Sequence, residues 1–105
     1  MEEKIKRILE LISLNGDKYI TKIEPSLFNE YITYNINNIH ININTTKEKI
    51  ITIIIDGVYY NIPELSLVEK ATIITNINNQ KEYFKNQQID SIINTLGNNS
   101  EDEDI

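Results

Sequence analysis

His40 is the only histidine of the chain, and histidine is the residue type best suited to moving protons near neutral pH. One imidazole excludes any site that needs two. Strand alternation places Asn35, Asn42 and Asn44 beside it, with no carboxylate, serine or second base to complete a nucleophilic triad. His40 therefore reads as a surface strand histidine. Asp56 precedes Gly57 and is explained by the geometry of a tight turn. Glu64 with Glu69, and Glu82 with Asp90, fall on helix surfaces, whereas a glycosidase-type carboxylate pair must converge on a pocket.

Metal and phosphate chemistry fare no better. The chain has no cysteine, so thiolate ligands and disulfides are excluded. One histidine with scattered acids offers no set of three or four convergent ligands. Gly16, Gly57 and Gly97 stand singly, so no glycine-rich phosphate loop exists. No cofactor, no metal and no enzymatic activity are expected. Tyr31 and Tyr59 are able to stack on bases, but only Lys47 and Lys49 lie near them. Without a basic cluster, nucleic-acid binding is not expected, and a weak single-stranded binder is a distant alternative.

Of the 105 residues, isoleucine and asparagine supply more than a third, while valine occurs twice, alanine once and arginine once. This bias matches AT-rich coding, as in some bacteria, phages and large viruses, and it accounts for the asparagine runs without a functional cause. The net charge is −6. Glu101, Asp102, Glu103 and Asp104 carry four of those charges, leaving twelve acids against ten bases elsewhere. Residues 1–97 are expected to form one α+β domain, and 98–105 a disordered acidic tail. The charged N-terminus is no secretory signal, and no apolar run reaches the roughly 18 residues of a membrane span. A cytoplasmic protein is expected, so the glycosylation patterns at Asn44 and Asn98 carry no meaning.

Residues 2–14 show helical periodicity through Ile5, Ile8, Leu9 and Ile12, with Asn15-Gly16 as a left-handed stop. Residues 18–24 are a candidate edge strand ended by Pro25. Leu27 and Phe28 anchor the connection that follows. Apolar positions are then even-numbered in Ile32, Tyr34 and Ile36 but odd-numbered in Ile39, Ile41 and Ile43. A strand cannot change phase without a bulge, and a type I′ turn at Asn37-Asn38 removes the conflict. It pairs Ile36 with Ile39, Tyr34 with Ile41 and Ile32 with Ile43. Asp56-Gly57 acts likewise, pairing Ile55 with Val58, Ile53 with Tyr60 and Ile51 with Ile62. Pro63 is read as opening a helix with Glu64 in its first turn, carrying Leu67, Val68, Ala71, Ile74 and Ile77 inward to about Asn79. A second helix over 81–96 turns Phe84, Ile89, Ile92, Ile93 and Leu96 inward, with Gly97 as its stop. The expected fold is α+β: an N-terminal helix, a four-stranded antiparallel meander with a candidate fifth strand, and two C-terminal helices on one sheet face.

The opposite sheet face then presents Tyr31, Thr33, Asn35, His40, Asn42, Asn44, Ile50, Thr52, Ile54, Tyr59 and Asn61. It carries no charge, and charge depletion with exposed tyrosine marks interface centres. AT-rich coding alone produces a similar surface, and cover by the first helix is a third reading. The expected function is non-enzymatic protein binding by Tyr31, Thr33, Asn35, His40, Asn42, Thr52, Ile54, Tyr59 and Asn61. The expected partner is another protein, a host or toxin protein blocked by steric occlusion, in the manner of a phage inhibitor of host defence or an immunity protein. A structural or virion-assembly subunit that self-associates through the sheet face or edge, as in a homodimer, is the alternative.

Overall fold

The computed structural model describes residues 1–103, with helix α1 (Glu2–Asn15), a 3-10 turn (Gly16–Tyr19), strands β1 (Ile20–Pro25), β2 (Glu30–Ile36), β3 (Ile39–Thr45), β4 (Ile50–Ile55) and β5 (Val58–Tyr60), and helix α2 (Leu67–Glu103). The five strands form an antiparallel meander in sequence order, so the candidate edge strand joins the sheet, over 20–25 rather than 18–24. Both tight turns adopt the backbone the phase change demands. Asn37 and Asn38 have φ of 54° and 64°, and Asp56 and Gly57 have 51° and 85°. Such left-handed pairs match the right-handed twist of the flanking strands. The β2–β3 register is the expected one, as are Ile55 opposite Val58 and Ile53 opposite Tyr60.

Two bulges escape the alternation. In β1 the register slips between Ile20 and Lys22, which brings Ile20 and Ile23 to the same face despite their odd spacing. Between β3 and β4, Asn44 faces Thr52 but Thr45 faces Ile50, so Ile51 is the extra residue. The bulge exchanges two isoleucines: Ile50 packs against the core and Ile51 is exposed, the reverse of the expected faces. β5 ends at Tyr60, so Ile51 and Ile62 do not pair. The sheet margins are blunt, with a bulge and a terminal proline in β1 and three residues in β5.

Both helices cover the isoleucine face. Ile5, Leu9 and Ile12 of α1 and Ile73 and Ile77 of α2 share one core with Ile32, Tyr34, Ile41, Ile43 and Ile53. Gly16 is not the left-handed stop expected of it: its φ and ψ are −81° and −9°, and the chain continues into the 3-10 turn. Glycine is needed there for close approach, since a Cβ would lie 3.0 Å from both Ile12 Cγ2 and Tyr34 Cε1.

The C-terminal region corrects the sequence reading most. There is one helix of 37 residues, not two, and Gly97 lies within it. Nothing between Asn79 and Lys81 removes a helical hydrogen bond or favours a turn strongly enough to break it. Pro63 precedes an irregular lead-in rather than a first turn. The helix starts after Ser66, whose Oγ accepts from the Glu69 N–H at 3.1 Å while Glu69 Oε1 accepts from the Ser66 N–H at 3.0 Å. This reciprocal pair is a capping box. The inward stripe is Ile73, Ile74, Ile77, Gln80 and Lys81; Leu67, Val68 and Ala71 are exposed. Of the acidic tail expected over 98–105, residues 98–103 continue the helical backbone and 104–105 fall outside the described residues.

Candidate protein-binding surfaces

The two turns and the β3–β4 pairing bring eight of the nine sequence-predicted binding residues onto the sheet face that the helical core residues leave uncovered. Tyr31 and Thr52 flank Asn44 in one cross-strand row. Thr33, Asn42, Ile54 and Tyr59 form the next, and Asn35 faces His40 in a third. Asn61 lies past the end of β5 and is exposed, outside the paired strands. Ile50, expected on this face, is removed from it by the bulge.

The face is uncharged at its centre and partly self-satisfied. Thr33 Oγ1 donates to Asn42 Oδ1 across the strands at 2.7 Å. Asn44 is buried between its neighbours, and its side-chain Oδ1 has no hydrogen-bond partner. An amide oxygen held out of water without a donor is costly, by about 1–3 kcal/mol. Tyr59 stands 73% exposed beside half-buried Ile54. Charge enters only at the β1 rim, where Lys22 and Glu24 neutralise each other at 2.8 Å. The Asp56 N–H donates to the His40 carbonyl at 2.8 Å, which fixes the backbone at this corner and leaves the imidazole exposed.

Sequence reasoning missed a second surface. Phe84 is the last α2 side chain packed against the core, and beyond it the helix overhangs the body. From Asn86 to Asn98 every residue is exposed. Ile89, Ile92, Ile93 and Leu96, expected inward, expose 54%, 59%, 59% and 61% of their area. The molecule accordingly measures 60 Å along one axis and 28 and 27 Å along the others. The signal was present in the chain. A Ser-x-x-Glu box at 66–69 and no breaker before Gly97 predict about 45 Å of helix at 1.5 Å per residue, far longer than a seven-residue strand.

The base of the overhang is pinned electrostatically. Glu30, at the start of β2, receives Lys81 Nζ at 3.2 Å and Lys85 Nζ at 3.0 Å, and the Lys81 side chain is 5% exposed. Burial pushes the Glu30 carboxyl up, but hydrogen bonds from Lys85 and Lys81, together with their charges, outweigh it and hold the group below its ordinary value. At the other end of α2, the Lys6 ammonium bonds Glu69 at 2.7 Å. That bond and the Ser66 cap lower the Glu69 carboxyl to about 2.

A cleft of about 350 Å³ lies where the lead-in to α2 leaves the sheet, floored by Ile50, Ile62, Leu65 and Ile73 with Lys49 and Lys70 among its other lining residues. Among the described residues, no three His, Asp or Glu side chains converge as a metal site, and no helix is long and apolar enough to cross a membrane. Comparison with protein-family models, curated sequences and solved structures finds no match.

Proposed function

We propose that this chain is a small non-enzymatic protein-binding module whose open sheet face docks on a larger protein and blocks it sterically. The observation that carries this reading is the sheet face left open by the helices, uncharged at its centre, with Tyr59 exposed at one margin. Tyrosine with neutral hydrogen-bonding neighbours suits the desolvated centre of an interface, where charged residues are depleted. The complementary partner surface is neutral. It offers an apolar recess for the Tyr59 ring. The AT-rich coding and small size fit the accessory proteins of mobile elements, which points to inhibition of a host defence protein or neutralisation of a toxin.

The test is to isolate the partner with wild-type chain from cells in which it is expressed, then measure its affinity for wild type and for Tyr31→Ala/Tyr59→Ala. Loss of two aromatic anchors weakens binding by about 30-fold or more, since a hot-spot residue contributes about 2 kcal/mol. Equal affinity with an unchanged circular-dichroism spectrum places the contact elsewhere and overturns the proposal.

A further inference from the structure

We propose that the outer groove between α1 and the first half of α2 binds a basic amphipathic helix of another protein. The groove is separate from the open sheet face and goes beyond the reading above.

The two helices run side by side in the same direction. Lys6 bonds Glu69 at 2.7 Å near their starts, and the Gln80 amide reaches the Ile12 and Ser13 carbonyls near the end of α1. Two clefts, of about 210 and 230 Å³, lie along the seam. Ser13 and Leu14 line both, so the clefts form one continuous groove. Buried Ser13, Ile73 and Gln80 close its floor. Val68, Leu14 and Tyr83 stand along its walls with 74%, 65% and 53% of their area exposed. The α2 wall from Val68 to Tyr83 spans about 22 Å at 1.5 Å per residue.

Shape selects a helix. Two packed helices leave a valley between them, and a third helix fills it by setting a ridge of its own side chains into it. An amphipathic helix brings apolar residues to such a valley every three or four positions. About four turns of it reach from Val68 past Leu14 to Tyr83.

Charge selects a basic partner. Among the described residues, every charged side chain lining the groove is an acid: Glu10 and Glu69 in one cleft and Asp17 in the other. Lys6 and Arg7 pair with Glu69 and Glu10 from outside the lining, and the Arg7 contact is a loose 3.6 Å. Asp17 has no ion pair among the described residues. The chain as a whole carries −6. Such a field draws in a cationic helix and opposes a second copy of this chain, an anionic lipid surface and nucleic acid.

The probe is a fluorescein-labelled peptide of leucine and lysine at helical spacing, titrated with the full chain and followed by fluorescence anisotropy. It should bind, and the same peptide with glutamate in place of lysine should not. Leu14→Gln/Val68→Gln, at exposed positions, should weaken binding by about tenfold or more with an unchanged circular-dichroism spectrum. Glu10→Gln/Asp17→Asn should weaken binding at low salt and flatten its decline as salt is added. Tyr31→Ala/Tyr59→Ala should bind the peptide as wild type does. No binding of the lysine peptide, or equal binding of the glutamate peptide, would remove the charge argument. Wild-type affinity in Leu14→Gln/Val68→Gln, or lost affinity in Tyr31→Ala/Tyr59→Ala, would put the peptide outside the groove. Each of these results overturns the proposal.

Discussion

Tyr34 and Gln80 are joined by a buried 2.7 Å hydrogen bond, the phenol of β2 donating to Oε1 of the α2 amide. Gln80 Nε2 in turn donates to the carbonyls of Ile12 at 2.7 Å and Ser13 at 3.0 Å. One amide thus ties the sheet to α2 and to the end of α1. Burial, with a smaller contribution from the Asp17 charge, pushes the Tyr34 phenol far above its ordinary value, so it stays a donor throughout the accessible pH range.

Gln80→Leu keeps the volume but strands the Tyr34 hydroxyl and removes a donor from the Ser13 and Ile12 carbonyls, of which Ile12 keeps the Gly16 N–H. It should lower the unfolding free energy by about 2–4 kcal/mol, and Tyr34→Phe by about 1–2 kcal/mol. Urea unfolding monitored by circular dichroism gives both values and their order.

Gly16→Ala should also destabilise, for a different reason. Its backbone is ordinary, but the new methyl would press on Ile12 and Tyr34 at 3.0 Å. Overpacking of this kind costs about 1–3 kcal/mol. A lowered melting temperature with an unchanged spectrum at 20 °C is the expected result; no change would mean that Tyr34 yields freely.

The turns respond in opposite directions. Asn38 has φ of 64°, a conformation glycine adopts without strain, so Asn38→Gly should stabilise the first hairpin by about 0.5 kcal/mol. Gly57 has φ of 85° and open space around it, so Gly57→Ala meets only backbone strain and should cost about 1 kcal/mol. Chemical denaturation midpoints of the two variants should bracket the wild type.

These turns were legible in the sequence because their cause is local: a phase change in the isoleucines plus residues that tolerate positive φ. The open face followed from them, with Thr33 opposite Asn42 and Ile54 opposite Tyr59, and the β3–β4 register joins the two pairs into one row. The bulges were hidden by composition. In a run containing Ile50, Ile51, Ile53, Ile54 and Ile55, either phase places isoleucine inward, and only tertiary packing selects Ile50 over Ile51. The C-terminal helix was misread for another reason. The spacing of Ile89, Ile92, Ile93 and Leu96 is that of a packed helix face, but periodicity alone does not say whether the rest of the chain reaches it. Pro63 drew attention from the capping box at Ser66 and Glu69, which sets the true start.

Acid should weaken the molecule through Glu30. Its folded-state value lies below the ordinary 4.5. The ion pairs with Lys81 and Lys85 therefore contribute fully above about pH 4.5 and are lost as pH falls through the lower folded value. Thermal unfolding from pH 7 to strongly acidic pH should show a decline that Glu30→Gln flattens. Glu30→Gln should also be less stable at neutral pH, because Lys81 remains buried without its counter-charge.

A meander this rich in isoleucine is the raw material of cross-β fibres, which grow when one molecule's outermost strand templates the next. The bulge and terminal proline of β1 and the three-residue β5 deny that template at both flanks. Lengthening β5 past Asn61 would expose a longer pairing edge and remove that protection.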